Sequence, residues 1–163
     1  MKKIIISIIL LISIGFAEEL QVKSKTFHAD RKIGVSIFKG DVNIIKGTDE
    51  LNATKVTIYT DKEEQPIKFV ADGNASFHIV TEDGSLYKGK SQKAIYLPNE
   101  KEYHFYEDVH LKQINEKKEI IGEEVILKTI EGKAYAKGAK KEPVIMIFNL
   151  PEDEKKDKKE EVK

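Results

Sequence analysis

Apolar and polar residues alternate with a period of two along most of the chain. Between Leu20 and Leu150, segments such as 54–59, 75–79 and 105–111 carry most of their apolar residues at alternate positions. This alternation is typical of β-strands with one buried face, whereas an amphipathic helix repeats every ~3.6 residues. No amphipathic helical pattern longer than two turns is visible in this region. The pattern therefore predicts an all-β domain.

Turn-forming residues separate the alternating segments. The clusters at 30–34, 46–49, 82–85, 98–101 and 131–133 contain Gly, Asp, Asn or Pro. Asp83-Gly84 is a strong hairpin signal, because both residue types tolerate a positive φ. Pro98 presets one backbone angle of a turn. Many short strands with turns at this spacing predict a sandwich, a jelly roll or a barrel.

A short motif recurs along the chain. It occupies residues 38–42, 71–75 and 105–109. The central residue is Gly40, Gly73 or Glu107, and the spacing is 33 residues from 40 to 73 and 34 residues from 73 to 107. A second motif follows each copy, at 53–56, 89–94 and 122–125. A fixed period of this length predicts stacked strand pairs, each of which buries its face against its neighbours.

The alternation also indicates which side chains point inward. An ordinary filled core is the first interpretation of this apolar face, since patterning does not distinguish a filled interior from one that holds a ligand. The small residues Gly40, Ala71, Gly73 and Ala75 fall on the inward parity, and missing bulk there would leave room for a guest. The predicted inward residues are Leu20, Val22, Phe38, Val42, Ile44, Val56, Ile58, Phe77, Ile79, Phe105, Val109, Leu111, Val125 and Leu127.

Both ends of the chain differ from its centre. Lys2 and Lys3 precede the apolar segment 4–14, and Gly15 and Ala17 supply the small residues of a cleavage site. This layout predicts a secretory signal peptide at 1–17, cut after Ala17, which exports the chain to the periplasm. Residues 151–163 are almost all Glu, Asp and Lys, a composition that predicts a disordered tail. Residues 18–150 then form the single β-domain.

Composition and motifs argue against several functions. The 28 basic residues balance the 28 acidic ones, so the excess of positive charge expected of a nucleic-acid binder is absent. The chain has no Cys, which excludes thiol chemistry. His104 and His110 share one strand face but lie six residues, or about 20 Å, apart, too far for a common metal. We find no catalytic motif, metal site or cofactor motif, and expect a protein that is not an enzyme.

The repeated motifs resemble the OstA-like/LptA domain family. The segments 38–44 and 51–56 are similar to the opening repeat of that family, a strand of the type F-x-G-N-V followed by an A-D-x-V strand. Asp41 here replaces the usual Asn and Thr54 the usual Asp. Residues 71–75, 91–96, 107–113, 121–125 and 134–138 are similar, in order, to the later strands. The resemblance covers about residues 20–150.

The resemblance implies a slightly open, twisted β-jelly roll that carries lipopolysaccharide. Lipid A chains would lie in an apolar groove, and Tyr96 would join Leu20, Val22, Phe38, Val42, Ile44 and Phe77 on its inner face. The resemblance further implies edge-to-edge stacking with LptC-like and LptD-like jelly-roll domains, and a head-to-tail homo-oligomer. Pairing of this kind would cover sheet edges that are otherwise a liability.

Three alternatives remain at this stage. An LptC-like component would keep residues 4–17 as a membrane anchor. A structural β-repeat protein would have a filled core and no ligand. A secreted hydrolase would need a convergent polar site, which the sequence does not display.

Overall fold

The structure, a computed structural model, describes residues 19–150, which form ten strands in one antiparallel sheet. The predicted signal peptide at 1–17 and the predicted tail at 151–163 lie outside these residues. No helix long and apolar enough to cross a membrane occurs within 19–150. The strands are β1 (Leu20–Lys23), β2 (Thr26–Asp30), β3 (Val35–Lys46), β4 (Asp49–Thr60), β5 (Pro66–Val80), β6 (Leu86–Leu97), β7 (Glu102–Gln113), β8 (Lys118–Lys128), β9 (Lys133–Lys137) and β10 (Ile145–Phe148).

The strands follow one another across the sheet as a meander. The order is β1-β3-β4-β5-β6-β7-β8-β10, with β2 also paired to β3 and β9 also paired to β8. Strands β1 and β2 therefore share one edge of the sheet, and β9 and β10 share the other. Each predicted turn cluster lies between two consecutive strands, and the all-β prediction is confirmed.

The recurring motif of the sequence marks a line of β-bulges. On β3, β5 and β7 the register shifts so that two residues oppose one residue of the next strand. The three bulged pairs all have positive φ: Gly40 and Asp41 at 84° and 45°, Gly73 and Asn74 at 83° and 48°, and Glu107 and Asp108 at 62° and 53°. A bulge bends its strand and increases the local twist. Because the bulges recur on alternate strands, they form one continuous fold line across the sheet.

This line, which we call the spine, divides the sheet into two half-sheets. The front half-sheet contains 20–23, 42–46, 49–53, 75–80, 86–91, 109–113, 118–122 and 145–148. The back half-sheet contains 26–30, 35–39, 55–60, 66–72, 93–97, 102–106, 124–128 and 133–137. Phe77 of the front half-sheet stacks on Phe105 of the back one, with ring centroids 4.1 Å apart. The two half-sheets therefore pack face to face, and their apolar faces enclose the core.

The two bulge glycines do not leave space in the interior, contrary to the expectation from the sequence. Gly40 and Gly73 adopt a φ that L-residues rarely take, and a Cβ on them would lie 2.8 Å from the Lys25 side chain and from Thr54 Oγ1, respectively. They permit the bend rather than a cavity. Ala71 and Ala75 do face the core and are buried.

Candidate functional site

The apolar interior gathers the residues that the alternation placed on the inward face. Val22 and Phe38 are partly buried against this core. Leu20, on the edge strand β1, is 37% exposed, and Tyr96 is half-buried. The other predicted residues are buried in one cluster: Val42, Ile44, Val56, Ile58, Phe77, Ile79, Phe105, Val109, Leu111, Val125 and Leu127.

Several interior residues escaped the sequence prediction because three strands change phase at the spine. On β4 the inward positions are 51 and 53, and then 56 and 58, so the spacing across Thr54 is three rather than two. The inward positions of β6 and β8 change phase in the same way, at Gln92 and Glu123 respectively. These two residues oppose the bulged pairs of β5 and β7. On these strands the missed residues are Leu51, Ala53, Tyr87, Ala94 and Ile120, and the spacing of three was the signal that could have identified them. Phe69 and Tyr103 were also missed, although β5 and β7 keep their phase and both residues lie on the inward parity of their strands.

Aromatic rings line the interior from its centre to its mouth, the gap between the free turns of the two half-sheets. The innermost pair is Phe77 and Phe105. Tyr103 lies beside Phe105, with centroids 6.4 Å apart, and stacks on Tyr96 at 4.5 Å. Phe69 is 6.0 Å from Tyr96. The rings give the interior a continuous apolar wall that ends in two tyrosines.

An apolar cavity of about 90 Å³ lies between the half-sheets beside this wall. Front residues such as Leu20, Ile44 and Leu51 form one side, and back residues such as Phe69 and Ala94 form the other. Small-molecule sites usually enclose about 300–1,000 Å³. The cavity is therefore too small for a complete acyl chain while the half-sheets are packed as they are here.

A polar vestibule of about 230 Å³ adjoins this cavity at the mouth, and Tyr96 and Tyr103 line both. Burial raises the pKa of the Tyr103 hydroxyl, and the nearby Tyr96 and Asp49 raise it further. The phenol therefore remains protonated and neutral. The vestibule is also lined by Lys46, Thr48, Asp49, Val80, Thr81, Glu82, Lys101 and Thr129.

A third cavity, of about 310 Å³, lies further along the free turns towards β10 and shares Thr81 and Thr129 with the vestibule. Leu111, Ile120 and Leu127 supply apolar lining, and Met146 and Phe148 reach it from the edge strand. All four residues of β10 are exposed, Phe148 to 51%. The interior is thus less closed towards the β9/β10 edge.

The two histidines of β7 lie on the outer face, as their parity predicted. His104 Nε2 is 2.9 Å from Glu102 Oε2, and Lys128 Nζ is 2.8 Å from Glu102 Oε1. His110 pairs with Glu119, which Lys112 also contacts at 3.3 Å. These polar contacts lie on the sheet surface and are separate from the interior.

The fold and the apolar interior agree with two comparisons. A family model described as LptA/(LptD N-terminal domain) LPS transport protein matches residues 21–133. The chain belongs to this family. The solved structure of LptH, the LptA homologous periplasmic component of the lipopolysaccharide transport device of Pseudomonas aeruginosa, matches with a TM-score of 0.71 and 19% sequence identity. That match covers 82% of this chain and 96% of LptH. A search of curated protein sequences gave no match.

Family membership settles the broad class of function. The chain is an LptA-like member of a family of lipopolysaccharide transport proteins, and its open antiparallel sheet is the LptA jelly-roll fold. The resemblance stated from the sequence is confirmed.

Proposed function

We propose that the chain is a periplasmic carrier that holds the acyl chains of lipopolysaccharide between its two half-sheets, as part of a bridge from the inner to the outer membrane. The observation that carries the proposal is the amphipathic layout of the mouth, where a polar vestibule adjoins an apolar cavity. A lipid with a phosphorylated sugar head and acyl chains has the same division of polarity. The head would stay at the vestibule and the chains would enter the cavity.

Energetics favours such a carrier. Burial of an acyl chain stabilises it by roughly 0.8 kcal/mol per methylene group. A chain of about a dozen carbons would cost on the order of 10 kcal/mol to move uncovered through water. An apolar track removes that barrier without a chemical step, so the role requires no catalytic residue, no metal and no cofactor, and we assign none.

The proposed groove is the interior face of both half-sheets. It comprises the residues predicted from the sequence, including Leu20 at the edge and Tyr96 at the mouth, together with Leu51, Phe69 and Tyr103. Because the closed cavity of about 90 Å³ is small, lipid entry requires the half-sheets to separate at the mouth while the spine holds them together. The less closed β9/β10 end gives a second opening, through which chains could pass onward.

The sheet edges suit assembly into a bridge. The β1/β2 edge exposes Phe27 to 61%, and the β9/β10 edge exposes Tyr135 to 51% together with the whole of β10. An unpaired edge can add a strand from a partner, with backbone hydrogen bonds supplying affinity. We propose that these edges pair head-to-tail with LptC-like and LptD-like jelly-roll domains and with further copies of this chain, so that the apolar interiors become continuous.

The proposed domain arrangement includes a signal peptide that would direct export to the periplasm. Residues 1–17 would be a signal peptide removed after Ala17, residues 18–150 the carrier domain, and residues 151–163 a solvated tail. N-terminal sequencing of the protein recovered from periplasm tests this, and an intact Met1 would instead favour an LptC-like, membrane-anchored component.

Site-specific photo-crosslinking in cells that make lipopolysaccharide tests the carrier role. The photoreactive residue is placed at Phe38 or Val42, which face the core, and at the adjacent exposed residues Lys39 or Asp41 as controls on the same strand. Lipopolysaccharide adducts at the inward positions alone are the expected result. Exported, folded protein without adducts at any position would mean a filled core and would favour the structural β-repeat alternative.

A further inference from the structure

Lys101 and Glu82 form an ion pair between the two half-sheets at the mouth. Glu82 lies in the turn between β5 and β6, which is a free end of the front half-sheet. Lys101 ends the turn between β6 and β7, at the free end of the back half-sheet. Lys101 Nζ contacts Glu82 Oε1, and both side chains line the vestibule. The pair therefore links the two half-sheets on the side of the interior that lies opposite the spine.

The two partners are held very differently. The carbonyl oxygen of Lys101 accepts hydrogen bonds from Thr129 Oγ1 at 2.7 Å and from the Thr129 backbone N–H at 3.2 Å, which fixes its turn. The Glu82 side chain is 76% exposed and that of Lys101 41%. An exposed ion pair contributes little to stability, because water competes for both charges. Glu82 can therefore leave Lys101 at small cost while the lysine stays in place.

The vestibule can attract an anion only when its positive charges outnumber its negative ones. The charged residues that line it are Lys46, Asp49, Glu82 and Lys101. Asp49 is held in position by accepting a hydrogen bond of 2.8 Å from the Val80 backbone N–H. Glu82 is thus the carboxylate that can move away, and its departure leaves the vestibule with an excess of positive charge beside an apolar cavity.

We infer that Lys101 binds a phosphate group of the lipid and that this phosphate displaces Glu82, releasing the clasp between the half-sheets as the acyl chains enter. The inference rests on the carrier function proposed above and deepens it by naming the group of the cargo that is recognised. A phosphate monoester carries more charge than a carboxylate and offers three acceptor oxygens to an ammonium group. Lys101 exchanges one anionic partner for another.

The test is equilibrium binding of diphosphoryl lipid A, and of the same lipid after removal of its phosphates, to the exported protein. Wild-type protein should bind the diphosphoryl lipid roughly tenfold more tightly, the usual scale of one hydrogen bond to a charged group. Lys101→Gln should remove this preference and Lys101→Arg should retain it. Glu82→Gln, which removes the competing carboxylate, should strengthen binding of the diphosphoryl lipid more than that of the dephosphorylated lipid. Lys62→Gln, in an exposed turn that does not line the vestibule, should match the wild type.

The other possible results distinguish failure of the Lys101 inference from failure of the carrier function. Equal binding of both lipids by the wild type would overturn the inference and leave the carrier function standing, whereas binding of neither lipid would remove the carrier function itself. An unchanged preference in Lys101→Gln, with a wild-type unfolding midpoint, would also overturn the inference. Inorganic phosphate alone is a further arm, and binding as tight as that of the lipid would identify the site as one for free phosphate instead.

Discussion

Phe77 and Phe105 stack with ring centroids 4.1 Å apart although they belong to opposite half-sheets. Phe77 is 6% exposed and Phe105 1%. Since β5 and β7 are not neighbours in the sheet, this contact exists only because the bulges fold the sheet onto itself. The pair therefore reports directly on whether the half-sheets are closed.

Phe105→Ala should destabilise the protein by about 3–5 kcal/mol, the usual cost of removing a buried aromatic ring and leaving a cavity. Phe105→Leu, which keeps most of the volume, should cost less than half as much. Ile130, 67% exposed in a turn, is the matched control, and Ile130→Ala should lie within about 0.5 kcal/mol of the wild type. Urea denaturation measures all three. A loss below about 1 kcal/mol for Phe105→Ala would contradict the face-to-face packing.

Glu107→Gly should stabilise the protein. Glu107 has a φ of 62° and occupies the position that Gly40 and Gly73 occupy in the other two bulges. A left-handed conformation costs an L-residue about 1–2 kcal/mol, and the greater freedom of glycine in the unfolded chain offsets part of this gain. The net increase in unfolding free energy should be about 0.5–1 kcal/mol, measured as a higher urea midpoint.

Gly73→Ala is the opposing control for that experiment. Its Cβ would lie 2.8 Å from Thr54 Oγ1 and 2.9 Å from Thr54 Cβ at a φ of 83°, so this variant should lose at least about 1 kcal/mol. Equal stabilities of wild type and Glu107→Gly would mean that the Glu107 backbone is not under strain.

Much of this fold could be predicted from the sequence because strand alternation and turn chemistry are local. The motif at 38–42, 71–75 and 105–109 was visible as a repeat, but its meaning as a bulge was not, because Glu107 and Asp108 carry no glycine signal. The third bulge is identified by the register of β7 against β8, a non-local property, and by the positive φ of Glu107 and Asp108.

A change of phase within a strand accounts for part of what the alternation missed in the candidate groove. On β7, Phe105, Val109 and Leu111 retain their parity across the bulge, so alternation identified them correctly as inward. On β4 the phase changes beside Thr54, and Leu51 was therefore missed although it packs against the core. The vestibule could not be predicted either, since Glu82 and Lys101 meet only after the sheet folds at the spine.

Acid should weaken the protein partly through Glu102. The hydrogen bonds that Lys128 and His104 donate to this carboxylate hold its pKa below the ordinary value of 4.5. The folded state therefore binds a proton less readily than the unfolded chain. This contribution is fully present above pH 4.5 and is lost as the pH falls through the lowered pKa. Glu102→Gln should be less stable at neutral pH, and its deficit should shrink in acid.

Unfolding midpoints of the wild type and Glu102→Gln from neutral pH down to about pH 3, which spans the ordinary range of a carboxyl group, measure this effect. The control is Glu100→Gln, two residues away in an exposed turn, which should follow the wild-type curve. Parallel curves for Glu102→Gln and the wild type would show that the contacts of Glu102 do not contribute to folding.

Ile147→Lys should weaken head-to-tail association of the chain without unfolding it. Ile147 lies on the edge strand β10, is 44% exposed, and is paired in register with Glu119 of β8. A lysine there can pair with that carboxylate across the strands, so the fold should persist, while a charge on an edge strand discourages pairing with another sheet. Sedimentation across a concentration series should show association roughly tenfold weaker, or about 1.4 kcal/mol. Ile114→Lys makes the same kind of apolar-to-charged change, but Ile114 is 41% exposed in the turn between β7 and β8 and belongs to no edge strand, so this variant should associate as the wild type does. If Ile147→Lys and Ile114→Lys behave alike, the β9/β10 edge is not the surface through which copies of the chain join.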